Sequence, residues 1–230
     1  MSAHGELDVL HCDNHVLAVV KRAGVPSVPD ESGRASLFDL AREWIAREFQ
    51  KPGRAFLGIV HRLDQPVSGV VVFARTSKAA ARLSEQFRAH GVRKLYWAVG
   101  AGAPRADEGE LVQWLRKEPI QNRVLVLDRG APGAKEAVTR WRVLARKDGS
   151  TLYEFEPRTG RAHQLRVCAA TLGTPLLGDL RYGAREPLPD KSVALHAKRL
   201  ELEHPTRKER LVFECPLPEL DVWRGWPSSG

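Results

Sequence analysis

Short apolar runs separated by turn-forming residues dominate this chain. Residues 7–10 and 16–21 read as two strands, and Cys12-Asp13-Asn14-His15 splits them with a turn. A loop follows from Gly24 to Gly33, carrying Pro26, Pro29 and Asp30. Ser36-Leu37-Phe38-Asp39 opens a helix, since a hydroxyl cap is followed three residues on by an acid. Leu37, Leu40, Ala41, Trp44, Ile45 and Phe49 make its buried stripe, and Lys51-Pro52-Gly53 ends it. Ser77 caps a second helix to about His90, with Leu83 and Phe87 inward and Gly91 as its stop.

The second half alternates. Residues 93–99, 111–115, 124–127, 137–144, 152–156, 193–202 and 211–215 read as strands with turn signals between them, and residues 101–110 as a surface loop. A helix ending at Gly173 follows the turn at Gly160, and the chain closes in a loose Pro/Gly/Ser tail. Many strands with a few separated helices predict an α+β fold with a mixed, mostly antiparallel sheet, rather than a doubly wound α/β fold.

Composition narrows the function. A chain of 230 residues, 43% hydrophobic, suits one large domain or two small ones. The net charge of +8 favours a polyanionic partner, nucleic acid first, although a merely solvated cationic surface fits the same number. Cys12, Cys168 and Cys215 are odd in number and widely spaced, which argues against a disulfide framework or a zinc knuckle. They read as buried thiols in a reducing compartment. No run approaches the ~18 apolar residues of a membrane span. The start, MSAHGELDVL, lacks a basic signal-peptide head and an apolar core. The expected address is the cytoplasm. His11 and His15 flank a turn rather than share a helix face, so no metal pair is expected of them.

Two stretches carry candidate chemistry. In residues 58–76, GIVHRLDQPVSGVVVFART, His61, Arg62 and Asp64 sit on a turn between two apolar runs. Ionised side chains in such a place are paired or working, and a structural Arg–Asp pair pinning the turn accounts for them equally well. In residues 158–167, RTGRAHQLRV, three arginines and a histidine crowd a helix start. Backbone N–H groups there favour anions, yet cations sit poorly against the positive end of a helix. An external or intramolecular anion must offset that charge, or the stretch is a solvated basic turn.

Together these stretches resemble the RluA-type pseudouridine synthases. The resemblance rests on His61-Arg62-Leu63-Asp64 with Ser68-Gly69, then on Gly160-Arg161, His163-Gln164 and Arg166-Val167, then on Gly173, Pro175, Gly178-Asp179 and Tyr182-Gly183. Asp13-Asn14-His15 leading to Lys21 and Gly24, Lys94 with Tyr96 and Ala98, and Leu195-His196-Ala197 with His204-Pro205 add weaker support. It spans roughly residues 7–216. The chain departs from the family at Val67, where Thr is usual, at Ala162, at Cys168, where His is usual, and at Arg22, which replaces a proline.

The resemblance implies one catalytic domain over residues 1–230, with flanking helices, a central cleft and no separate N-terminal RNA-binding domain. It implies conversion of uridine to pseudouridine in ribosomal or transfer RNA stem-loops, by a monomer, with no metal and no cofactor. It assigns Asp64 as the catalytic carboxylate, Arg166 as the cation that keeps it ionised, and Tyr96 as the residue that stacks on uracil and lies near the C5 proton. Arg62 would fill the space left by an extruded base. His61, Lys21, Arg75, Arg161 and His163 are candidates for RNA contacts. Without the resemblance, Tyr96 reads as a core tyrosine. Two rivals stay open: a binding module without catalysis, and a base-removing glycosylase, which would want a second carboxylate to activate water.

Overall fold

The apolar runs form strands and the amphipathic stripes form helices. In chain order the strands are Val9–Cys12 (β1), Val16–Lys21 (β2), Gly58–Ile59 (β3), Ser68–Ala74 (β4), Arg93–Ala101 (β5), Glu108–Glu118 (β6), Arg123–Leu127 (β7), Lys135–Lys147 (β8), Ser150–Pro157 (β9), Leu195–Glu203 (β10) and Arg210–Glu214 (β11). The helices are Leu37–Glu48 (α1), Ser77–Arg88 (α2) and Gln164–Thr171 (α3), with single 3₁₀ turns at Leu180–Tyr182 and Asp221–Trp223. This computed structural model describes residues 7–31, 33–50, 55–118 and 122–227. The fold is α+β, with strands and helices segregated along the chain. It divides into two compact units, Met1–Val92 with Arg199–Cys215, and Arg93–Lys198 with Pro216–Gly230.

In the first unit β2 pairs antiparallel with β1 and with β4, and β3 adds to β4. Every residue of β4 is buried, which is why its sequence runs apolar without alternation. Val16, Ala18, Val70 and Val72 meet Ala79 and Leu83 of α2 in one core, with Leu200, Leu202 and Phe213 from the β10–β11 hairpin. The cap of α1 forms as read: Asp39 N–H donates to the Ser36 hydroxyl, and Ser36 N–H donates to the Asp39 carboxylate. Leu37, Ala41 and Ile45 face inward, but Phe49 is 43% exposed and lies under the Arg75 guanidinium. The expected helix stop at Lys51–Gly53 lies outside the described residues.

In the second unit β5, β9, β8, β6 and β7 pair antiparallel in that order. Leu115, Val124 and Ala137 on one face of these strands pack against Val167 of α3 and Tyr182.

Three expectations need correcting. The loop predicted at 101–110 is shorter, because β6 begins at Glu108 and pairs with Arg142. Thr76, not Ser77, caps α2, and His90 rather than Gly91 takes the left-handed backbone after it, with φ 58°. The tail is not loose over residues 217–226: Leu217, Leu220, Val222, Trp223 and Trp226 pack on Trp97, Val99 and Leu152. Three large apolar groups, Trp223, Trp226 and Leu220, give that segment the hydrophobic area to dock.

Candidate active site

Asp64 sits half-buried on the turn between β3 and β4, and the turn is held from below by the end of β2 and the loop after it. Gly24 N–H donates to the Gln65 carbonyl (2.8 Å), and the Gln65 amide returns a bond to the Gly24 carbonyl (3.1 Å). The Ser27 hydroxyl donates to the Leu63 carbonyl (2.6 Å) and accepts the Leu63 N–H (3.1 Å). Val67 N–H closes the turn on the Asp64 carbonyl (3.0 Å). Backbone groups in a buried turn must find partners, and here residues 21–27 supply them. Arg62 is exposed beside this turn.

Lys21, read from the resemblance as an RNA contact, is instead fully buried. Its ammonium donates to the carbonyls of Arg22, Gln65 and Val67, at 3.1, 2.9 and 2.7 Å. Three donors on three carbonyls, with no exposed surface, leave no face for a phosphate. Burial pulls the ammonium down to about 7, opposed by the charge of Asp64.

His61 also departs from the RNA-contact reading. Its Nε2 accepts the Val72 N–H of β4 (2.9 Å), and its ring stacks on Phe87 of α2 at 4.6 Å. Arg75 donates to the Cys12 sulfur (3.1 Å) and to the Asp13 carbonyl, with its guanidinium 4.1 Å from the Phe49 ring centroid. It thus ties α1 to the β1–β2 turn.

That turn is itself pinned. The Asp13 carboxylate accepts N–H bonds from His15 (2.7 Å) and Val16 (2.8 Å). Its other oxygen meets His204 Nε2 (2.9 Å), Arg207 (3.0 Å) and His11 Nε2 (3.2 Å). His204 Nδ1 accepts the N–H of Arg207 (2.9 Å), so its proton sits on Nε2 and is donated to Asp13. Burial alone would raise the Asp13 carboxyl, but the His15 and Val16 amides, with His11 and His204, hold it well below the usual carboxylate range. Among the described residues no group of three or more His, Cys, Asp or Glu could hold a metal ion.

In the second unit the stretch 158–167 is a built loop. The Thr159 hydroxyl accepts the Val138 N–H (2.9 Å) and donates to Gln164 Oε1 (2.8 Å). Gln164 Oε1 also accepts the Arg161 N–H (3.0 Å), while Gln164 Nε2 donates to the Val138 carbonyl (3.0 Å). Exposed Arg161 is steadied by its Nε on the Glu136 carbonyl (2.8 Å). His163 takes a left-handed backbone (φ 51°) at the start of α3, and its Nδ1 bonds the Tyr182 hydroxyl at 2.7 Å.

Arg166 on α3 is 5% exposed and forms a two-bond fork with Asp179, at 2.7 Å to each carboxylate oxygen. Asp179 is 1% exposed, so the pair is desolvated and geometrically matched. The intramolecular anion that the crowded cations required is therefore Asp179. The two bonds use two of five guanidinium donors. Arg166 also lies 5.2 Å over the Tyr182 ring, and the Tyr182 hydroxyl accepts the Val124 N–H (2.8 Å). Gly178, at φ 80°, precedes Asp179 where any side chain would strike the Ser192 carbonyl, so only glycine delivers the carboxylate here. Tyr96 is half-buried on β5, in register with Phe155 of β9.

The site thus gathers into two constellations: Asp64 with Lys21 and Ser27, and Arg166 with Asp179, Tyr182 and His163. Sequence reasoning missed Ser27 and Gln65, because nothing in the local pattern of a Pro-rich loop reports a partner forty residues away. It also passed over the Tyr182 hydroxyl, although Tyr182 was part of the quoted motif.

A buried Arg–carboxylate clamp in an α+β fold, with an acid on a braced turn, defines a class, and comparison with known proteins agrees. The family model for RNA pseudouridylate synthase matches residues 15–171, and the chain belongs to that family, in its RluA-type branch. It is 37% identical over 221 residues to the uncharacterized RNA pseudouridine synthase YhcT of Bacillus subtilis, covering 94% of this chain and 70% of that protein. It is 35% identical over 216 residues to the dual-specificity RNA pseudouridine synthase RluA of Haemophilus influenzae, covering 91% and 92%. Among solved structures, human RNA pseudouridylate synthase domain containing 4 superposes with a TM-score of 0.77 at 26% identity, over 92% of this chain and 89% of that one.

Proposed function

We propose that this enzyme isomerises uridine to pseudouridine in structured RNA, ribosomal or transfer RNA stem-loops, with Asp64 as the catalytic carboxylate. The N1–C1′ bond breaks, the uracil turns over, C5 bonds to the same C1′, the C5 proton leaves and N1 gains one. Base and sugar are both retained, so the reaction consumes no water and changes no oxidation state. The target must leave its stack, because neither C1′ nor C5 can be worked on inside one. Arg62, exposed on the Asp64 turn, fills the vacated space.

Asp64 serves as nucleophile or as stabiliser of the developing positive charge. Arg166 keeps it ionised, a task that suits a guanidinium because it never loses its proton. Tyr96 stacks on the uracil and lies toward its C5 proton. Arg161 and His163 make phosphate contacts, consistent with the net charge of +8. The protein works as a monomer in the cytoplasm, without metal. No helix among the described residues is long and apolar enough to cross a membrane.

The observation that carries this reading is the bracing of the turn: hydrogen bonds from Gly24, Ser27 and Lys21 hold the backbone on either side of a half-buried acid. A turn needed only for connection would not require that. The test is product analysis after incubation with RNA. Pseudouridine in the digest with no free uracil supports the isomerase. Free uracil would mean a glycosylase, and unchanged RNA with retained binding would mean a module without catalysis. Mapping pseudouridines in cells with and without the gene then identifies the RNA.

A further inference from the structure

Lys21 ends β2, pairs across the ladder with Gly69, and has no exposed surface. Lysine is seldom fully buried, because its charge is costly away from water. Here the three ammonium donors go to main-chain carbonyls, and two of those, of Gln65 and Val67, flank Pro66 in the turn after Asp64. We infer that Lys21 is a positioning residue for Asp64: its ammonium fixes the backbone of the turn and supplies positive charge beside the carboxylate. This inference rests on the reading of Asp64 as the catalytic acid.

The device depends on the proton. An ammonium satisfies three carbonyls, whereas a neutral amine has two donors and no charge. The ionisable groups around Lys21 are few. Asp64 acts on it from the turn, and Arg62 on the same turn is exposed. Arg22, next in the chain, is exposed and paired with Asp8 at 3.1 Å. β4, the neighbouring strand, carries no ionisable side chain. Burial brings Lys21 down to about 7, so its proton leaves over the neutral to mildly alkaline range.

That direction gives a signature a structural lysine lacks. The folded value lies below the model value of 10.5, so the unfolded chain binds more protons between the two. Lys21 therefore adds to stability as pH rises through that window. Activity moves the other way, because the turn loses a bond and Asp64 loses a counter-charge.

The test measures kcat and KM from pH 6 to 9.5 on 5-tritiated ribosomal and transfer RNA pools, for wild type, Lys21→Met, Lys21→Arg and Asp64→Ala. Alongside, the Lys21 Cε resonance of ¹³C-lysine-labelled wild type is titrated by NMR. The alkaline limb of wild-type kcat/KM should share its midpoint with Lys21, while the melting temperature does not fall over the same range. Lys21→Met should lose about 100-fold in kcat with KM little changed, the size expected of a misplaced reacting group. Lys21→Arg should push the limb beyond pH 9.5. If neither variant folds, coincidence of the two wild-type midpoints decides. Separate midpoints, or a folded Lys21→Met with wild-type kcat and limb beside an inactive Asp64→Ala, overturn this inference alone. Full activity in Asp64→Ala overturns the reading of Asp64 and this inference with it.

Discussion

The guanidinium of Arg166 and the carboxylate of Asp179 meet through two 2.7 Å hydrogen bonds, both groups nearly without solvent. α3 supplies one and the Gly178 turn the other, so the pair fixes the angle at which α3 meets that turn. A proposed partner of the catalytic acid is thus itself held by a second acid.

Asp179→Asn should be costly. The amide cannot accept at both positions, and it leaves a buried guanidinium without its counter-charge. Removing one member of such a pair costs about 3–5 kcal/mol. Urea unfolding of wild type and variant checks this, and kcat should fall even at temperatures where the variant remains folded.

Tyr182→Phe removes the acceptor for the Val124 N–H and the partner of His163 Nδ1. A buried donor left unmade costs about 1–3 kcal/mol. The phenol is protonated at neutral pH, since burial pushes it up, so the loss should not vary between pH 6 and 9. Urea unfolding at both ends of that range tests it.

Asp13→Asn should weaken the junction of the β1–β2 and β10–β11 turns. The charge-assisted bonds to His204 and Arg207 are worth about 1.5–3 kcal/mol each where desolvated, so a loss of that order is expected at pH 7. The sign with pH follows from the lowered Asp13 carboxyl. Its stabilisation is complete above the model value of 3.8 and disappears as pH falls through the lower folded value. The stability gap between wild type and Asp13→Asn should therefore be constant from pH 7 to about 5 and close below about 4, read by urea unfolding at each pH.

Cys168 should be inert in the native protein. Burial raises its thiol to about 12, with a smaller opposing effect from Thr139, and the thiolate is the reactive form. At pH 8, Ellman's reagent should leave Cys168 and the equally buried Cys215 untouched until guanidinium is added.

Much of this architecture is legible in local sequence, and the exceptions have physical causes. The Ser36–Asp39 box and the unbroken apolar run of β4 were readable, because each is decided within a few residues. The cap at Thr76 was misread by one position, since Thr76 and Ser77 are both good caps and only the backbone shows which is extended. Lys21 read as a surface cation, because its burial depends on carbonyls of a turn more than forty residues away. His61 and Arg75 were misplaced for the same reason, since the ring of Phe87 and the sulfur of Cys12 become neighbours only on folding. The acid–base pairs that reach across the chain, Asp13 with His204 and Arg166 with Asp179, leave no periodic trace.

The central claim is that one carboxylate, Asp64, drives an isomerisation. RNA tritiated at uracil C5 tests it most directly, with wild type and Asp64→Ala compared under identical conditions. Wild type should release tritium to water and leave the strand uncleaved, and Asp64→Ala should release none. Tritium release by a folded Asp64→Ala at the wild-type rate would contradict the account.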